Sequence, residues 1–159
     1  MLCLFGGAEL LTHSGEYKVV CLDYGAHNIR HNEFVHAMKL LGVDSWEHWD
    51  GDLYKTPVSY NEDILIPKLK LLLEECDWKK VVTHNSGGEY GHYRHIATHN
   101  LISKLIFEKV WVFDTCSDVE MSIETKNEKG NVLKQAYPSQ KQVLRWFNWQ
   151  CEKISKLKI

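Results

Sequence analysis

Val81-Val82-Thr83-His84-Asn85-Ser86-Gly87-Gly88-Glu89-Tyr90-Gly91-His92-Tyr93-Arg94-His95-Ile96-Ala97-Thr98-His99-Asn100 sets four histidines and an acid around three glycines, between a short β-type run and a helical pattern. Read as a strand over Lys80–His84, a glycine turn and a helix over His92–Phe107, it places the turn at the carboxyl end of a strand. Open α/β sheets bind their ligands at that edge. His92 and His95 stand three apart and share a helix face, so they can address one ion or substrate. Pairs at this spacing are also common on solvated helices. Here the glycine loop puts the pair in the first helical turn, beside backbone N–H groups that favour anions, and Glu89 and Tyr90 add an acid and a phenol. His99, one turn past His95, reads as a support behind a ligand or as surface rather than as a ligand.

Outward from this segment, strands and helices alternate. Tyr17–Asp23 reads as a buried parallel strand that closes on Asp23, a turn former or a candidate site residue. Arg30–Leu41 is a helix with Phe34, Ala37, Met38 and Leu41 on one side and Gly42 as its stop. Asp44–Trp49 is a short strand in which Trp46 and Trp49 are core or a stacking platform, core being the usual place for such aromatics. Asn61–Cys76 is a helix burying Leu65, Leu69, Leu72 and Leu73; Pro67 suits only a first turn, which puts the regular part from about residues 64–66. The central helix turns Ile96, Leu101, Leu105 and Ile106 to the sheet, and Val110–Phe113 is the next strand, with residues 114–118 at the sheet's edge. Met121–Thr125 reads as an added strand, Lys126–Asn131 as a polar hairpin or loop, and Lys141–Lys156 as a helix for which Ser139 is a good N-cap. Met1–Phe5 followed by Gly6-Gly7 reads as a first strand and a turn into a helix ending near Gly15. The alternation argues a single α/β domain over residues 1–159 with a mostly parallel sheet.

The chain has 159 residues, 44 % apolar and 25 % charged, which suits one soluble domain with a sizeable core. A net charge of −2 and the lack of a basic, aromatic-interleaved stripe give no reason to expect nucleic acid. No apolar run approaches the ~20 residues of a membrane span, and Met1–Phe5 is too short and uncharged for a signal peptide. Five scattered cysteines without a C-x-x-C pair read as reduced, mostly buried thiols of a cytoplasmic protein. The oligomeric state is not legible.

Thr83-His84-Asn85 followed by Gly88-Glu89-Tyr90-Gly91-His92-x-x-His95 resembles the second signature of the PIG-L or LmbE-like zinc-dependent N-acetylglucosamine deacetylases. Tyr93-Arg94 stands where that family has Pro-Asp. The resemblance implies His95 as a zinc ligand and His92 as the catalytic residue that stabilises the oxyanion. Three further segments resemble the family in the same order. Arg30-x-x-Glu33 with Ala37-x-x-Leu40-Leu41-Gly42-Val43 implies a substrate-binding Arg30, which as a plain surface feature would be an i, i+3 ion pair with Glu33. The acidic turn after the tryptophan strand implies Asp50 at the sugar pocket, and Tyr137-Pro138-Ser139-Gln140 matches a Tyr-x-Ser-Gln segment. Tyr90 completes the substrate-binding set of Arg30, Asp50 and Tyr90. The fold implied is a three-layer, Rossmann-like (LmbE-like), mostly parallel α/β sheet.

The family's first signature, His-Pro-Asp-Asp-Glu, ends about four residues before a Gly-Gly like Gly6-Gly7, so Met1 falls near its last position. It supplies a zinc-binding histidine, a zinc-binding aspartate and the general base, none of which this sequence contains. A catalytic zinc takes three protein ligands, so His95 by itself does not hold Zn2+. The N-terminal strand is then shortened or missing, through a start lying upstream, through Met1–Phe5 filling the slot, or through closure of the sheet by other means. The expected function is metal-dependent removal of acetyl from an N-acetylated amino sugar, free or in a glycoconjugate, with catalysis impaired or absent in the chain as written, as a truncated or inactive form. The alternatives are a non-catalytic saccharide-binding or regulatory domain, and a metal site rebuilt from Asp23, His27 and His84 around His95.

Overall fold

A computed structural model describes residues 2–22, 28–49, 53–56, 59–106, 108–114, 121–146, 150 and 152–157. In chain order it has α1 (Leu2–His13), β1 (Val19–Leu22), α2 (Asn28–Leu41), β2 (Trp46–Trp49), β3 (Tyr54–Thr56), β4 (Ser59–Tyr60), α3 (Glu62–Glu74), β5 (Val81–Thr83), α4 (Gly88–Gly91), α5 (Tyr93–Leu105), β6 (Val110–Asp114), α6 (Ile123–Ala136), α7 (Lys141–Trp146) and β7 (Lys153–Lys156). The mixed α/β class expected from the alternation is what forms. The strands fall into three small sheets, β1–β2, β3–β4 and β5–β6–β7, with β1–β2 and β5–β6 parallel and β3–β4 antiparallel. Two compact units result, Met1–Trp49 with Thr115–Lys153, and Asp50–Asp114 with Ile154–Ile159.

In the first unit, α2 buries Phe34, Ala37, Met38 and Leu41, as its periodicity requires. It ends in a Schellman turn: the Val43 N–H donates to the Met38 carbonyl at 3.0 Å, with Gly42 at φ +67°. Trp49 is core, and its indole N–H donates to Glu47 at 2.6 Å. Leu2–Phe5 belongs to a helix, not to a strand, and Gly6 (φ −133°, ψ 18°) kinks that helix. An apolar run of this length fits either state, and Phe5 and Leu10 are both buried here as α1 packs on α6 and α2.

The reading of residues 121–131 as strand and loop is overturned, because α6 runs through them. Its N-cap is Ser122, whose hydroxyl accepts the Thr125 N–H at 3.1 Å. Lys129, Val132, Leu133 and Ala136 are its buried stripe at helical spacing, and a charge in that stripe hid the period. Lys129 is offset by Glu152 at 2.7 Å, a partner 23 residues away. The long helix expected over Lys141–Lys156 also fails: α7 ends at Trp146 and Lys153–Lys156 is a strand. Ser139 lies in a 3-10 turn rather than at an N-cap, and its N–H donates to Glu33 at 2.8 Å.

In the second unit, Val81–Thr83 pairs in register with Val110–Val112, and the Leu157 N–H reaches the Val110 carbonyl at 2.9 Å. The helix around Pro67 starts at Glu62, earlier than the proline suggested. Asn61 anchors that start: its N–H donates to the Leu53 carbonyl at 2.6 Å and its carbonyl accepts the Leu65 N–H at 2.9 Å. With Leu65 and Leu69 buried, the helix tolerates the bond that Pro67 cannot make. Cys21 is half-buried and Cys76 is exposed, an exception to the expected mostly buried thiols. No helix among the described residues is long and apolar enough to cross a membrane.

Candidate metal and oxyanion site

The site lies within the second unit, where β5 hands over to α5. Its scaffold is Asn85. The Asn85 carbonyl accepts the Gly88 N–H at 2.9 Å, its side-chain carbonyl accepts the Glu89 N–H at 3.1 Å, and its amide group donates to the Phe113 carbonyl of β6 at 2.9 Å. Gly88 sits at φ +63°, where an added Cβ would lie 2.8 Å from Ile96 Cγ1, so the loop presses directly on α5. Glu89 follows at φ +60°, ψ −57°, a conformation that a non-glycine residue keeps only where its surroundings hold it.

That backbone folds the Glu89 side chain inward until none of it is exposed. One carboxylate oxygen, Oε2, faces His84 Nδ1 at 2.9 Å and His95 Nδ1 at 2.5 Å. The other, Oε1, accepts the Asn85 N–H at 2.9 Å. Burial alone would raise the Glu89 pKa, but the hydrogen bonds from His84 and His95, the charge of His84 and the Asn85 amide outweigh it and hold the carboxyl at about 2. Burial pushes both His84 and His95 below the ordinary imidazole value, against the pull of Glu89. The two rings stack with centroids 3.7 Å apart, 7° from parallel.

His92 is the N-cap of α5 rather than a residue of its first turn; its carbonyl accepts the Ile96 N–H at 3.1 Å. Its ring lies 4.4 Å from that of His95 and stacks on Tyr93 at 5.0 Å, with Tyr90 edge-on at 5.7 Å. His92 Nδ1 is buried without a hydrogen-bond partner, which is uncommon enough to point to a ligand. Burial first, then the neighbouring His95 and Arg94, lowers its pKa, so near pH 7 it offers an N–H rather than a full cation. Tyr90 is 55 % exposed at the rim.

His84, Glu89 and His95 each offer a ligand atom, all within 4.8 Å of one another, a donor chemistry suited to zinc. The arrangement fits an ion at one ring rather than between the two. Imidazole lone pairs lie in the ring plane, and parallel rings stacked at 3.7 Å do not aim at one point ~2.0 Å from both. Since Glu89 takes the Nδ1 side of each ring, the nitrogen suited to a metal is Nε2.

The remaining expected residues divide. Asp50, Asp23 and His27 lie outside the described residues. Arg30 belongs to the first unit, where it pairs with the buried Glu33 at 2.5 Å and its guanidinium stands 5.8 Å over the Tyr137 ring. Two of the sequence segments singled out, around Arg30 and around Ser139, thus meet on Glu33. His99 is buried, and its Nδ1–H donates to the His84 carbonyl at 2.8 Å. Sequence reasoning placed Glu89 at the mouth without a role and gave His84 only as an alternative ligand; the signal for both was the crowding of His84-Asn85 and Glu89 about the glycines.

Among known protein families, that of the GlcNAc-PI de-N-acetylases, PIG-L, matches residues 1–106. The chain belongs to the PIG-L family. The same relationship reaches an uncharacterised protein of Acanthamoeba polyphaga mimivirus, 32 % identical over 121 residues, an alignment covering 66 % of this chain and 51 % of the viral one. The chain therefore spans about half the length of that curated relative. No solved structure gives a significant match. The matched residues 1–106 include the His84–Asn100 segment, in which the site geometry lies.

Proposed function

We propose that the protein is a zinc-dependent de-N-acetylase acting on an N-acetylated amino sugar of the N-acetylglucosamine type, free or in a glycoconjugate. The observation that supports it best is His92, whose buried Nδ1 lacks a partner beside His95. His95 would contribute one ligand to the ion through Nε2; the first-signature ligands and general base of the family are not among residues 1–159, so further ligands are needed to complete the site. When bound, zinc would supply Lewis acidity toward the amide carbonyl and acidify a water molecule. His92 donates an N–H toward the oxygen that gains charge as the carbonyl is attacked. The Tyr90 phenol borders the same space, and Arg30 and Asp50 are proposed to bind sugar hydroxyls. The fold we propose is the three-layer, Rossmann-like arrangement in a single domain, with the parallel β1–β2 and β5–β6 pairs as its support.

The test is acetate release from N-acetylglucosamine substrates, with zinc per chain measured in parallel. In a version that carries the family's first signature, His92→Ala should lower turnover about 10²–10³-fold with zinc content unchanged, and His95→Ala should lose zinc. Unchanged turnover in His92→Ala would remove the oxyanion role.

A further inference from the structure

We propose that Glu89 is a positioning residue that fixes the tautomer of two histidines at once, holding His84 and His95 as Nδ1–H donors so that Nε2 of His95 is the nitrogen presented to the metal. This rests on the reading of His95 as a ligand. The geometry behind it has three parts. A carboxylate oxygen accepts and does not donate, so each Nδ1 placed within 2.9 Å of Oε2 carries a hydrogen. The carboxylate is itself held, by the Asn85 N–H on its other oxygen and by the Glu89 N–H on the Asn85 side chain. The backbone that aims it inward, at φ +60°, is sustained by the contact of Gly88 with α5.

The stack adds a consequence. Because the rings lie 3.7 Å apart and share one acceptor atom, neither can turn without disturbing the other. His84 thereby acts through His95: it buttresses the ligand's ring face and shares its anchor. Metal-binding histidines are commonly oriented by a carboxylate on the second ring nitrogen, and losing such a partner lowers metal affinity about 10–100-fold. In this chain one carboxylate serves two rings, so the isosteric amide is a sharp probe. Glu89→Gln keeps the shape, but one of its two terminal atoms becomes a donor and meets either the imidazole N–H groups or the Asn85 N–H.

The first experiment is long-range ¹H–¹⁵N spectroscopy of the metal-free chain at pH 8, with His84→Ala and His95→Ala used to assign the rings. Both should show a protonated Nδ1 and a lone pair on Nε2, whereas solvent-exposed imidazoles favour a protonated Nε2. Either ring found mainly as Nε2–H overturns the proposal, and this arm needs no substitution at Glu89. The second is titration with Zn2+ of Glu89→Gln shown to be folded by circular dichroism. A 10–100-fold weaker affinity than wild type is expected, and affinity within twofold of wild type overturns the role. A chain with both Nδ1–H tautomers that releases no acetate overturns the deacetylase reading alone, so the two failures are distinguishable.

Discussion

Among the described residues, the buried carboxylates of Glu152 and Glu89 are enclosed for different reasons. Glu152, in the first unit, accepts the Ala8 and Glu9 N–H groups at 2.9 Å each and pairs with the enclosed Lys129 at 2.7 Å. Its donors are two amides exposed by the kink of α1 at Gly6 and one ammonium at the centre of α6, so the carboxylate ties α1 to α6. Glu89, in the second unit, takes one amide and two imidazoles. An imidazole that donates from one nitrogen still presents the other, so the bond orients a reactive atom instead of ending in a cap. Both carboxylates satisfy the same electrostatic demand; the chemistry of their donors separates a structural anchor from a site.

The comparison can be broken most easily at the anchor. Lys129→Met leaves Glu152 with its amides but without its counter-charge, and should cost about 3–5 kcal/mol of folding stability by urea denaturation. The double variant with Glu152→Gln should recover part of that loss; a Lys129→Met protein as stable as wild type would mean that the pair anchors nothing. In the loop, Gly88→Ala meets both a left-handed backbone and the 2.8 Å approach to Ile96. A loss of about 2–4 kcal/mol is expected, and an effect below 1 kcal/mol would mean that the loop shifts freely off α5.

Acid sharpens the contrast further. The folded-state pKa values of His84 and His95 lie below the ordinary 6.5, so the unfolded chain binds more protons as pH falls. Their contribution to stability is complete above pH 6.5 and declines below it. Glu89 adds a lower window, complete above about 4.5 and lost as pH falls toward about 2. Hydrogen-exchange protection at the Asn85 and Ile96 amides should therefore fall from pH 7 to 5 and again below 4.5; protection flat across pH 7 to 5 would show that the imidazoles do not resist protonation.

The parts of this molecule that were legible in sequence are those whose causes are local. The α2 stripe and its Gly42 stop need only a helical period and a residue suited to positive φ, and both appear as read. The His92 and His95 rings do come within 4.4 Å, although His92 caps α5 instead of sharing a helix face with His95. Where the cause was distant, the reading failed. Lys129 looked like loop because a charge in a buried stripe makes sense only with Glu152 beside it. Lys153–Lys156 looked like the tail of a helix because the β-sheet it joins is built from β5 and β6, far earlier in the chain, as the Leu157–Val110 bond at 2.9 Å shows.

By itself, then, the sequence determined the α/β class, the family and the loop in which chemistry-bearing residues gather, because period, glycine placement and motif spacing are properties of neighbours along the chain. Only the tertiary structure decided that Glu89 rather than a helix face unites the site. His84, Glu89 and His95 stand five and six positions apart, which no regular period superposes. A positive φ at Glu89, held by the packing of Gly88 on Ile96 and the bonds of Asn85 to Phe113, brings one carboxylate under two stacked rings.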